Sequence, residues 1–148
     1  MKNLKEILAK IIEKNTLEHK IEWAYECEID YRKALKAFEN LLDEITEDLK
    51  GYPKAVHVES CLEDIAEDIR SGYTNLDEIE DIHFYTFEDY VETHITANMT
   101  AGERNIFDRF WYFIDGPSRK EWVEAEYWSN YEGLYTNRMK DFVIMVEK

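Results

Sequence analysis

Apolar residues recur at alternating steps of four and three from Leu17 through Ile21, Ala24, Tyr31, Leu35, Phe38, Leu42 and Ile45 to Leu49. Such steps keep side chains on one stripe of an α-helix. The spacing therefore predicts a single long helix over about residues 16–50 with a heptad seam. Glu28 interrupts the stripe, and a carboxylate in a seam costs stability unless it is paired or solvated. A bend near Glu28 and Ile29 that shifts the stripe to a new face is the first explanation. A buried pair with Arg104 or Arg109, or a functional carboxylate, comes after it.

Val58, Leu62, Ile65 and Ile69 continue the spacing, predicting a following helix roughly antiparallel to the first. Residues 100–114 include Ile106, Phe107, Phe110, Trp111, Tyr112, Phe113 and Ile114, apolar on almost every side, so a central buried helix is expected there. Trp122, Tyr127, Trp128, Tyr131 and Tyr135 read first as core, with Trp122, Tyr127, Trp128 and Tyr131 read second as a contact patch. The run Phe142–Val146 suits a strand or a last helical turn, with 54–58 and 82–86 as possible strand partners.

A short oxygen-bearing residue three positions before an acid can satisfy the exposed amides that open a helix. Asn3, Asn15, Ser60, Asn75, Thr100 and Ser118 stand three before a Glu, and Thr86 stands three before Asp89. Gly51-Tyr52-Pro53, Ser71-Gly72 and Asp115-Gly116-Pro117 supply breaks. About six or seven helices follow, forming an all-α or mainly α helical bundle with a possible small β element near the C-terminus. The 148 residues suit a single domain.

Charge changes this picture. Residues 1–38 carry 8 Lys/Arg against 7 Asp/Glu, residues 93–148 carry 7 against 9, and residues 39–92 carry 3 against 17. The overall charge of −15 thus lies almost wholly in the middle third. There the chain repeats an acid pair, an isoleucine and a second acid pair closed by an aliphatic residue. The copies are Asp43-Glu44-Ile45-Thr46-Glu47-Asp48-Leu49, Glu63-Asp64-Ile65-Ala66-Glu67-Asp68-Ile69 and the shorter Asp77-Glu78-Ile79-Glu80-Asp81-Ile82. On a helix turning about 100° per residue, Ile45 and Leu49 lie about 40° apart, with the four acids roughly 160° to 300° away from Ile45. Each full copy is an apolar anchor backed by a carboxylate plate.

Little else asks for chemistry. Cys27 and Cys61 match no zinc or redox spacing and read as free thiols in a cytosolic protein. The sequence shows neither a signal-peptide core nor an apolar run long enough to span a membrane. Of the two Glu-x-x-His elements that a carboxylate-bridged metal pair needs, only Glu80 to His83 is present. His19, His57, His83 and His94 lack zinc-ligand spacing, and the 5 glycines form no phosphate-binding loop. No metal, cofactor or enzymatic activity is expected, and direct nucleic-acid binding is unfavourable for so acidic a chain.

A solvated face giving solubility is the plain interpretation of the plates, yet solubility alone would be served by acids mixed with Lys and Arg throughout. Acids four apart on a helix lie about 6 Å apart along its axis, against about 3.4 Å between phosphates of one nucleic-acid strand. Neighbouring plates therefore approximate a phosphate field. In size, acidity and helical character the chain is similar to the antirestriction and anti-CRISPR inhibitors of phages and mobile elements that act as DNA mimics. The expected partner is a basic nucleic-acid-binding protein such as a nuclease, restriction enzyme or CRISPR effector. Asp43, Glu44, Glu47, Asp48, Glu59, Glu63, Asp64, Glu67 and Asp68 would meet it, with Asp77, Glu78, Glu80 and Asp81 extending the track. An immunity protein or antitoxin against a basic toxin uses the same electrostatics. A helical adaptor, with a homodimer through the seam, is the remaining alternative.

Overall fold

A computed structural model describes residues 3–23, 30–132 and 141–147, excepting the side chains of 130–132. Ala24, Cys27, Glu28, Ile29 and Tyr135, and the side chain of Tyr131, lie outside the described residues. The chain is mainly helical with a two-stranded sheet near its C-terminal end, the class that its patterning predicts. It forms two compact units, Met1–Ile79 and Glu80–Lys148.

Unit 1 contains α1 (Leu4–Glu22), α2 (Tyr31–Leu49) and α3 (Ala55–Arg70). The Asn3 side chain opens α1 by accepting from the Lys5 amide at 2.7 Å. Leu4, Ile7, Leu8 and Ile11, spaced by three and four, are buried. They meet Ala34, Leu41, Ile45 and Leu49 of α2, and Val58, Leu62, Ile65 and Ala66 of α3, in the core. Both later helices pack on α1 and touch each other far less.

The single helix over residues 16–50 does not form. α1 runs past Asn15, which opens no helix, and ends at Glu22. α2 starts afresh from Asp30, whose carboxylate accepts from the Lys33 amide at 3.2 Å. Stripe spacing records which face is apolar and carries no information on whether the hydrogen-bond ladder is continuous. The seam also steps sideways within α2, burying Leu41 and leaving Leu42 exposed.

α3 begins at Ala55, a turn before Ser60, so the possible strand at 54–58 is helical instead. Its end is a full Schellman closure. The Tyr73 amide donates to Asp68 O at 3.0 Å and the Gly72 amide to Ile69 O at 3.1 Å. Gly72 adopts φ +84, a conformation that favours glycine.

In unit 2, β1 (Asp81–Thr86) and β2 (Asp141–Val146) pair in parallel, from Asp81 opposite Asp141 to Thr86 opposite Val146. Between them come α4 (Phe87–Tyr90), a wide turn over Val91–Ile95, α5 (Ala101–Phe113) and α6 (Gly116–Glu132). Thr86 accepts from the Asp89 amide at 3.1 Å to open α4. Thr100 and Glu103 form a reciprocal capping box on α5. α6 is opened by Asp115, which accepts from the Ser118 amide at 2.8 Å, rather than by Ser118 itself.

α5 is not the buried centre that its composition suggests. Among its residues Phe107 is buried, whereas Ile106, Tyr112 and Phe113 are 71%, 77% and 82% exposed. One stripe docks: Phe107 lies 5.7 Å from both Trp111 and Trp122, and Phe110 lies 5.4 Å from Trp122. Arg119 of α6 locks the pair of helices. Its guanidinium sits 5.1 Å over the Trp111 ring and donates to Trp111 O at 2.8 and 3.1 Å, satisfying a carbonyl in the last turn of α5. Phe87, Tyr90, Val91, Val123, Tyr127 and Met145 complete this core with Phe107.

Candidate interaction surface

The anchors orient the first two plates. Ile45 and Leu49 are each only 2% exposed, so helical geometry turns Asp43, Glu44 and Glu47 of α2 into solvent. Ile65 and Ala66 do the same for Asp64, Glu67 and Asp68 of α3. Glu59 lies half-buried on the preceding turn.

Two acids turn inward instead. Lys10 of α1 bonds Asp48 at 2.7 Å and lies 3.9 Å from Glu44. Lys14, a turn later, bonds Glu63 at 2.5 Å, and the Asn15 amide donates to the other oxygen of Glu63 at 3.0 Å. The hydrogen bond to Asp48 raises the pKa of Lys10 against a smaller opposing effect of desolvation, and the charges of Asp48, Glu44 and Glu6 add to the rise. Lys10 and Lys14 stand about 6 Å apart along α1, so the inner edges of the two plates flank one helix. Asp48 and Glu63 thereby act as internal struts. Sequence spacing alone does not reveal them, because the lysines come from a different helix.

Few cations compensate the outward acids. Lys50 bonds Glu47 at 2.7 Å, which raises the lysine pKa, and Arg70 approaches Glu67 at 3.9 Å. Both pairs are exposed, where ion pairs contribute little. No ion pair among the described residues engages Asp43, Asp64 or Asp68.

The third copy is not a plate. Asn75 accepts from the Asp77 amide to open a single tight turn, Leu76–Glu78, after which the backbone extends into β1 at Asp81. Ile79 is buried at the end of unit 1. Asp77 and Glu78 belong to that unit, whereas Glu80 and Asp81 belong to unit 2. The missing residue in this copy replaces the i to i+4 apolar step by one of three, and extended alternation takes over. Glu80 and His83 accordingly share no helical face.

Two further groupings lie outside the sequence expectations. His57 stands four residues before Cys61 on α3, with Nε2 3.6 Å from Sγ, a spacing that helical geometry makes adjacent. His83 on β1 lies 3.6 Å from Asp81 and 3.7 Å from Asp141, brought together by the strand register. Beside it Tyr85 packs on Tyr90 and Tyr127, and burial raises its pKa. Among the described residues no three His, Cys, Asp or Glu side chains group to hold a metal ion, and no helix is long and apolar enough to cross a membrane. In comparisons with known proteins, no family model, no curated protein and no solved structure matches the chain.

Proposed function

We propose that the chain is an acidic inhibitor that binds a basic nucleic-acid-binding protein through the α2 and α3 carboxylates of unit 1. The supporting observation is what stays exposed once Asp48 and Glu63 turn inward. Asp43, Glu44 and Glu47 on one helix and Asp64, Glu67 and Asp68 on another stay outward, with both helices seated on α1. A basic groove that otherwise holds phosphates is attracted to such a field, and occupation by a folded protein excludes nucleic acid without any chemistry. Restriction enzymes and CRISPR effectors are the proposed partner class, consistent with a phage or mobile-element origin and action in the cytoplasm. A basic toxin offers the same surface to an immunity protein.

The engaged pairs dictate the test. Replacing Asp64, Glu67 and Asp68 by Lys while sparing Glu63 leaves the Lys14 strut in place. This variant is expected to keep its helical circular dichroism and lose capture of nucleic-acid-binding proteins at low salt. Capture equal to that of the parent chain would sink the proposal. A helical adaptor with a merely solubilising acidic face is a second reading, favoured by the exposed Ile106, Tyr112 and Phe113. Under it, partner capture survives both charge reversal and high salt.

A further inference from the structure

One unexplained polar atom in the described residues is Oδ2 of Asp141. The Asp141 side chain is 2% exposed, and this oxygen has no hydrogen-bond partner among the described residues. Its other oxygen lies 3.7 Å from His83 Nε2. A carboxylate oxygen buried without a donor is costly and calls for a partner.

Asp141 also lines a cleft of about 480 Å³ between α6 and β2, whose other walls are Glu124, Trp128, Phe142 and Val143. Lys120 reaches Glu124 at 3.9 Å, and no ion pair among the described residues joins a lysine or arginine to Asp141. The Tyr127 ring meets the Trp128 ring nearly edge-on at 5.1 Å and fixes its orientation. The cleft thus combines a buried acid, a second acid nearer solvent, an indole and the apolar residues Phe142 and Val143.

We propose that this cleft binds a guanidinium group. A guanidinium is planar, donates in a fork that matches a carboxylate, stacks on indole, and is more weakly hydrated than an ammonium. It therefore loses less on entering a half-buried site, and its fork suits the Asp141 carboxylate at the cleft wall. Unit 2 already makes this pairing once, where Arg119 stacks on Trp111. The proposal stands apart from the α2 and α3 surface and does not depend on it.

Methylguanidinium titrated into the full chain, followed by the Trp128 indole NH in a proton–nitrogen correlation spectrum, tests the assignment. A saturable shift is expected, with binding weakened about tenfold or more by Asp141→Asn and by a smaller factor by Glu124→Gln. If Asp141→Asn fails to fold, Glu124→Gln carries the comparison, because that carboxylate is more exposed. Methylammonium is expected to bind more weakly than methylguanidinium. Tighter binding of a blocked Gly-Arg-Gly peptide than of free arginine assigns the group to a polypeptide, and the reverse assigns it to a small molecule. A shift that never saturates, equal affinity in the parent and Glu124→Gln chains, or equal binding of methylammonium would overturn the proposal.

Discussion

Unit 1 builds its core almost wholly from aliphatic side chains and turns carboxylates outward, whereas unit 2 adds the rings of Phe87, Tyr90, Phe107 and Tyr127 to its buried aliphatic residues and leaves Ile106, Tyr112 and Phe113 of one helix in solvent. The contrast lies in how each core recruits its helices. Aliphatic residues bury by stripe, so α1, α2 and α3 each commit one face to the core, and the opposite face is left to whatever the sequence supplies there. Rings are large enough to dock a helix at a few points. Phe107, Phe110 and Trp111 against Trp122 hold α5, and the remaining apolar residues of that helix are not needed for it.

The largest effects belong to the two cores. Phe107→Ala is expected to destabilise unit 2 by about 3–5 kcal/mol, and Leu62→Ala to destabilise unit 1 by about 2–5 kcal/mol. Trp111, Trp122 and Trp128 lie in unit 2 and Trp23 in unit 1. Tryptophan fluorescence therefore weighs towards the first variant, and helical dichroism at a shared denaturant series reads both. Next comes Lys14→Ala, which strips Glu63 of its strut. A loss of about 1–3 kcal/mol by urea unfolding is expected, and a neutral outcome would return Glu63 to the outward set.

A smaller, pH-dependent effect attaches to Lys10. Its pKa is raised above 10.5 in the folded chain. Its contribution is thus fully present below 10.5 and is lost as pH rises through the raised value. Relative to Lys10→Met, the parent chain should lose stability in that alkaline window, and parallel stability profiles would contradict the Asp48 strut. Smallest is Phe113→Ala, expected to change stability by no more than about 0.5 kcal/mol. A loss comparable to that of Phe107→Ala would show that α5 is buried after all.

What the sequence made legible follows the same division. Asn3, Thr86 and Thr100 open helices where local spacing places them, because capping is settled within four residues. The start of α2 carries no capping-box signal, since Asp30 is followed three positions later by Lys33 rather than Glu. The exposure of α5 is not legible locally, because an apolar composition does not report how many neighbours surround a helix, and a small unit has little interior in which to enclose one. The plates were legible on α2 and α3, where an isoleucine recurs with a partner four residues on. They failed at Ile79 and Ile82, which are three apart and run into a strand. Neither the Lys10 and Lys14 struts nor the Asp141 cleft could be read locally, since each joins residues far apart in the chain.

The most direct measurement is the affinity of the purified chain for a captured basic partner as a function of salt, with and without competing duplex DNA. An acidic mimic is expected to weaken about tenfold or more between low and physiological salt, and to be displaced by the duplex. The chain with Asp64, Glu67 and Asp68 replaced by Lys should show neither behaviour. Affinity that is flat in salt, or complexes that hold nucleic acid and this chain together, would contradict the acidic surface as the binding face.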